Sequence, residues 1–225
     1  MIVVLYADLR DFSAWSNAAR PNEVAKLVEI CYERVHQLHI DYHHNFHRLL
    51  GDGFLLVWEI DEFARYDASN CHDAAGALSE GIGAAFEIHK KYFYLRKKLS
   101  FRTPSGFGIA ITLGEGYRVR LRTGLSHLNE DDYVGYPLIE GARLQQLARA
   151  YEIVLDPSVA KVCRTCPRDL LRTGFPGFEL QLVKPSERAL ETATNLKGLR
   201  RRDRLGFRFL QRENAVWNQP ADEVA

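Results

Sequence analysis

The amino-acid sequence predicts an α+β fold of ferredoxin-like plan, a central antiparallel sheet flanked by helices. Short β-branched runs alternate with long segments of helical period, and a Gly-Asp-Gly turn joins two of the strands. The resulting order is strand, helix, strand, strand, helix, strand. The first strand is Ile2 to Tyr6, β-branched and aromatic, ending at Ala7-Asp8. LRDFSAWSNAARP reads as a loop. From Asn22, a candidate cap, the residues Val24, Leu27, Val28, Cys31, Val35 and Leu38 recur at helical spacing. Phe46 to Trp58 reads as two strands joined at Gly51-Asp52-Gly53, which puts Asp52 on an exposed hairpin tip. Ala68 to about Leu99 is a second long helix, with Leu78, Ile82, Ala85 and Phe86 on its apolar face. Strands follow at Gly106 to Leu113 and Arg118 to Leu125. Pro137 opens a short helix to about Ala148, in the first turn where its missing N–H costs nothing. Glu152 to Leu155 is a further strand, and a strand pair completes a domain over residues 1–212, before a polar tail at 213–225.

The 225 residues, 46% hydrophobic and 26% charged, suit one globular domain. A net charge of +1 gives no global electrostatic case for nucleic acid or an anionic membrane, so an anionic ligand must be held locally. The opening MIVVLYADLRDF is too short in its apolar part for a membrane span and lacks a signal-peptide layout, which predicts a cytoplasmic strand. Only Cys163 and Cys166 form a CxxC pair, weak ground for zinc without a second pair. His39, His43, His44 and His47 span a helix-to-strand junction and are not expected on one face. Tyr92, Phe93 and Tyr94 are expected to pack a core or a dimer edge.

Pairing the strands that end at Asp8 and begin after Asp52 brings two carboxylates to one edge, the outline of a site for magnesium or manganese. Two such ions can activate a hydroxyl and stabilise a leaving diphosphate in one in-line displacement. Backbone N–H groups of the segment Leu9-Arg10-Asp11-Phe12-Ser13 offer an anion nest for phosphates, which makes Phe12 and Ser13 candidate substrate contacts. Taken singly, each aspartate also fits a cap or a turn.

The surrounding words add a family resemblance. YADLRDFS resembles the first metal motif of class III adenylate and guanylate cyclases, and HRLLGDGFLLVW resembles their second. RVRLRTG is similar to the family's R-x-G-x-H-x-G strand, DDYVGYPLIEGARLQQLA to D-x-x-G-x-x-V-N-x-A-x-R-L, and LKGL at Leu196 to its triphosphate segment. The matches fall in family order from roughly Val3 to Leu210. The resemblance implies the class III nucleotidyl cyclase fold and closure of a nucleoside triphosphate to a 3′,5′-cyclic monophosphate. It implies two divalent ions, Mn2+ or Mg2+, on Asp8, Asp52 and the Leu9 carbonyl. Arg143 would stabilise the transition state, Lys197 would bind the triphosphate, and the sites would be shared by two chains of a homodimer, with no nucleic acid and no membrane as partner.

Some positions depart from the family pattern. The adenine-reading lysine is replaced by Arg48, while its aspartate partner is kept as Asp132. Arginine is a planar donor and no substitute for lysine. Held by Asp132, it suits the carbonyls of uracil, and Phe46, Tyr133 and Tyr136 are positioned to narrow the pocket. In compactness the chain also resembles the stand-alone pyrimidine cyclases of bacterial anti-phage systems, which make cyclic UMP or cyclic CMP as second messengers. Ile139 stands at the usual ribose asparagine, and Leu125 at an arginine that Arg10 or Arg200-Arg201-Arg202 would replace. The expected function is therefore conversion of UTP to cyclic UMP. The alternatives are an adenylate or guanylate cyclase, or a nucleotide-binding module without turnover. A phosphodiesterase or polymerase palm has no role for the LKG and R-L motifs.

Overall fold

The computed structural model describes residues 1–60, 71–122, 130–165, 180–183 and 208–212. Its main sheet has the order β2-β3-β1-β4-β7-β9-β8. The central strand β1 (Ile2–Arg10) lies antiparallel to both β3 (Gly53–Glu59) and β4 (Gly106–Gly114). Beyond β3 the edge is β2 (Phe46–Leu49). On the other side β7 (Ile153–Leu155) pairs parallel with β4, and the antiparallel pair β8 (Leu180–Val183) and β9 (Arg208–Arg212) follows. A separate hairpin is formed by β5 (Gly116–Leu121) and β6 (Glu130–Gly135).

Because side chains alternate across a strand, β1 feeds two cores. Val3, Leu5, Ala7 and Leu9 join the main core with Leu27, Val35 and Leu38 of helix α2 (Pro21–Tyr42) and Leu78, Ile82 and Ala85 of helix α3 (Cys71–Lys98). Ile2 and Val4 face the other way, against Leu55, Val57 and Tyr133. Helix α4 (Tyr136–Leu144) docks on β4, where the Thr112 hydroxyl donates to the Pro137 carbonyl at 2.8 Å. A single 3-10 turn at Gln145–Leu147 extends it. Helix α5 (Pro157–Thr165) is capped by buried Asp156, whose carboxylate accepts the N–H groups of Val159 and Leu113, both at 2.7 Å.

Several local expectations are corrected. LRDFSAWSNAARP contains a helix, α1 (Phe12–Ala18), entered through left-handed Asp11 at φ 64°. It is pinned by tertiary contact, because Trp15 stacks on Phe12 at 5.5 Å and donates its ring N–H to the Arg102 carbonyl at 2.7 Å. Arg20, not Asn22, caps α2. Its backbone N–H donates to the Glu23 carboxylate at 3.1 Å, and Pro21 already occupies the first turn, leaving Asn22 inside the helix. The strand placed at Arg118 begins at Gly116 and pairs with the unforeseen β6. The tail at 213–225 lies outside the described residues.

Candidate active site

Asp8 stands opposite Gly53 in the β1–β3 register, so Asp52, one residue earlier, sits at the turn beside it. The Leu9 N–H donates to the Asp52 carbonyl at 3.2 Å and closes that corner. The two glycines of the turn have different reasons. Gly51 adopts φ 82°, which favours glycine, whereas a Cβ at Gly53 would lie 2.5 Å from the Ala7 carbonyl oxygen and 3.1 Å from the Asp8 carboxylate. Strand approach at Gly53 thus sets the spacing of the carboxylates.

Burial and the neighbouring Asp52 charge push the Asp8 carboxyl above its ordinary range, while Gln145 and Arg10 pull it back. Negative charge is therefore under-compensated at this corner, a condition that a divalent cation relieves with oxygen ligands. The carboxylate pair supplies oxygen donors of the kind such ions take. Among the described residues no group of three or more His, Cys, Asp or Glu side chains is placed to hold a metal ion. Arg10 lies beside Asp8 at 3.7 Å and donates to the Gln145 carbonyl at 2.9 Å. Burial lowers its pKa, and Asp8, Asp11 and Asp52 oppose that shift.

Tyr6, Asp8 and Arg10 alternate with core-facing Ala7 and Leu9, and therefore share the sheet face that carries α4 and the β5–β6 hairpin. On that face Arg48 of β2 donates to the Asp132 carboxylate of β6 at 2.8 Å. The other Asp132 oxygen accepts the Tyr133 N–H at 2.8 Å, which fixes the pair. Arg48 also lies 5.8 Å from the centre of the Phe46 ring. The Tyr6 phenol adjoins the pair, its pKa raised by burial first and the Asp132 charge second.

Of the aromatic residues expected to narrow the pocket, Tyr133 is a core residue instead. It is 4% exposed, packs on Phe46 at 5.1 Å, and its hydroxyl donates to Glu59. Tyr136 is exposed. Arg143 lies in the last turn of α4, half-buried, and its guanidinium has no hydrogen-bond or ion-pair partner among the described residues. Ile139 is 51% exposed, three residues after exposed Tyr136 on α4, and Tyr117 and Val134, a cross-strand pair of the β5–β6 hairpin, are exposed too. Phe12 and Ser13 fall in the first turn of α1, one turn beyond Asp8. Lys197, Leu125 and Arg200 to Arg202 lie outside the described residues.

The histidine expectation is corrected as well. The αL cap at His43 folds the chain back so that His39, His44 and His47 do converge, joined by His36. His44 and His47 approach at 3.3 Å between ring nitrogens, and burial with neighbouring histidines lowers His44 to about 4. Tyr92 is buried in the core, while Tyr94 is 52% exposed. Cys163 is buried in the core too, and Cys166 lies outside the described residues. Gln145, Tyr6 and His36 were missed from sequence. Only Tyr6 carried a signal, its two-residue spacing from Asp8.

No family model and no curated protein sequence matches this chain. Its fold does match solved structures. The adenylyl cyclase CyaB from P. aeruginosa superposes with a TM-score of 0.64 at 14% identity, over 95% of this chain and 94% of that one. The guanylyl cyclase Cya2 gives 0.57 at 19% identity, over 94% and 90%. The guanylate cyclase domain of RhGC from Catenaria anguillulae, in complex with GTP, gives 0.60 at 13%, over 94% and 96%. The fold is thus that of adenylyl and guanylyl cyclase catalytic domains. Among the described residues no helix is long and apolar enough to cross a membrane.

Proposed function

We propose that this chain is a nucleotidyl cyclase that converts a ribonucleoside triphosphate to its 3′,5′-cyclic monophosphate and diphosphate, working as a homodimer. The observation that carries the reading is the Asp8–Asp52 corner, where two carboxylates meet at the turn of a cyclase-type sheet, and burial together with the Asp52 charge raises the pKa of Asp8. Two Mn2+ or Mg2+ ions, when bound there, acidify the ribose 3′-hydroxyl and neutralise the leaving diphosphate. The 3′-oxygen bonds to the α-phosphorus, the bond to the β-phosphate bridge breaks, and the hydroxyl proton leaves to solvent. The chain's own residues orient and stabilise. Asp8, Asp52 and the Leu9 carbonyl would hold the ions, and Phe12, Ser13 and Lys197 would contact the phosphates. Arg143 donates to the charge that grows on the reacting phosphate. That it has no partner among the described residues, and that Tyr117, Val134, Tyr136 and Ile139 are exposed, support a second chain at this face and a site shared between protomers.

For the base, UTP is the proposed substrate. Arg48 is locked by Asp132, and a guanidinium offers donors only, which suits a carbonyl edge and opposes the exocyclic amine of adenine or cytosine. Cyclic UMP would then serve as a second messenger in anti-phage defence. Incubating the protein with ATP, GTP, CTP and UTP in turn, with Mn2+, and resolving products by chromatography tests both levels. Cyclic UMP in excess supports the full reading. Faster cyclic AMP or cyclic GMP leaves a cyclase with purine preference, and binding without any cyclic product leaves a nucleotide-binding module.

A further inference from the structure

On the face of the sheet opposite the carboxylates, helices α2 and α3 enclose a cavity of about 210 Å³. Gly83 of α3 faces Tyr42 near the end of α2, and a Cβ there would lie 2.6 Å from the ring. Further along, Val35, Leu38, Phe54, Ile88 and Phe107 form an apolar floor, all of them buried core residues. The rim is cationic, with Arg34, Lys90, Lys91 and Lys98, and among the described residues no carboxylate lines the cavity.

The four cations are not equivalent. Lys90 pairs with Glu87 at 3.5 Å, and Lys91 with Glu87 at 3.5 Å and Asp41 at 3.6 Å. Arg34 and Lys98 are exposed and have no partner among the described residues. Lys98 ends α3, where the helix dipole favours a cation, but Arg34 lies in the middle of α2 and has no such reason. An open apolar space in a core is unfavourable unless something fills it, because its lining forgoes dispersion contacts. Apolar walls with a small number of placed polar groups are also the usual composition of a small-ligand site.

We infer that this cavity binds a single-chain aliphatic carboxylate, its chain against Val35, Leu38 and Phe54 and its head between Arg34 and Lys98. The floor is the reverse side of the catalytic strands. Phe54 follows Gly53 in β3, and Phe107 is the register partner of Leu9. An occupant therefore packs directly behind the carboxylate corner while leaving the nucleotide face open.

Calorimetric titration and thermal melting of the full chain, without nucleotide or metal, test the assignment. The probes are sodium decanoate below its micellar concentration, decyltrimethylammonium as the opposite charge on the same chain, and acetate as the head group alone. Decanoate should bind with a stoichiometry of one per chain and raise Tm, and the other two should do neither. The double variant Arg34→Glu with Lys98→Glu should weaken decanoate at least tenfold, and Val35→Trp, which fills the cavity, should abolish binding. Should Val35→Trp not fold, the double variant decides, since both its positions are on the surface. Absence of decanoate binding, equal binding of decyltrimethylammonium, or wild-type affinity in the charge-reversed variant overturns the inference.

Discussion

Replacing Gly53 by alanine tests whether strand approach sets the spacing of the two carboxylates. The new Cβ would meet the Ala7 carbonyl oxygen at 2.5 Å, whereas ordinary contact begins at 3.4 Å, so β3 and β1 must part by about 1 Å at this register. Overpacking of this kind costs about 1–3 kcal/mol of stability. The catalytic penalty is expected to be larger, because a misplacement of about 1 Å costs on the order of a hundredfold in rate. Gly51→Ala is the matched control. Nothing lies within 4 Å of its Cβ, but φ 82° strains a residue with a side chain, at about 1–2 kcal/mol. Urea unfolding should therefore show both variants destabilised. Mn2+ affinity by calorimetry and cyclic-nucleotide formation should fall steeply only in Gly53→Ala. A Gly53→Ala protein with wild-type Mn2+ affinity and turnover would refute the geometric argument.

Four further outcomes are expected. Asp8→Ala or Asp52→Ala abolishes turnover yet leaves a folded dimer by light scattering, since each removes ion ligands from a partly exposed corner rather than core volume. Mixing Asp52→Ala with Arg143→Ala under exchange conditions restores part of the activity, as one intact site forms per mixed dimer; no recovery, with both variants dimeric, excludes a shared site. Arg48→Ala lowers kcat/KM for UTP by about 1–3 kcal/mol and by less for other bases, read from competition kinetics. The last outcome concerns acid. His44 is neutral in the folded protein down to about pH 4 but takes up a proton near 6.5 when unfolded, so stability is intact above 6.5 and declines as pH falls towards 4. Denaturation midpoints at several pH values should show that decline, to which His47 and His89, also lowered by burial, contribute, and His44→Leu should make it shallower; an unchanged slope would remove His44 as a cause.

The ferredoxin-like core was legible because its elements carry strong periodic signals. Ile2 to Tyr6 reads as a buried strand, and the spacing of Leu27, Cys31, Val35 and Leu38 as one helix face. What escaped notice depends on contacts distant in sequence. Helix α1 is only Phe12 to Ala18, too short to propagate by itself, and rests on the bond from Trp15 to the Arg102 carbonyl. Helix α5 did carry a local signal, since Asp156-Pro157 is a cap followed by proline at the first turn. That signal passed unread because the apolar period after it is brief.

The candidate site divides in the same way. The Gly-Asp-Gly turn announces Asp52, and strand alternation would have placed Tyr6 and Arg10 on the face of Asp8. Gln145 could not be found so, because it comes from the turn after α4, where its carbonyl accepts from Arg10 beside Asp8, and the docking of α4 depends on Gly141 admitting the Tyr6 ring and Gly114 admitting Pro137. Tyr133 failed for the opposite reason. Its motif position pointed to the base, but β6 turns its ring onto Phe46 and its hydroxyl to Glu59, leaving Asp132 as the residue of that strand that orders Arg48. If a base is read at this face, its selectivity must therefore come from how rigidly Asp132 holds the Arg48 donors, and less from aromatic walls. On that argument Asp132→Asn, which keeps the shape and loses the charge, bears on base choice more directly than any trimming of Tyr133.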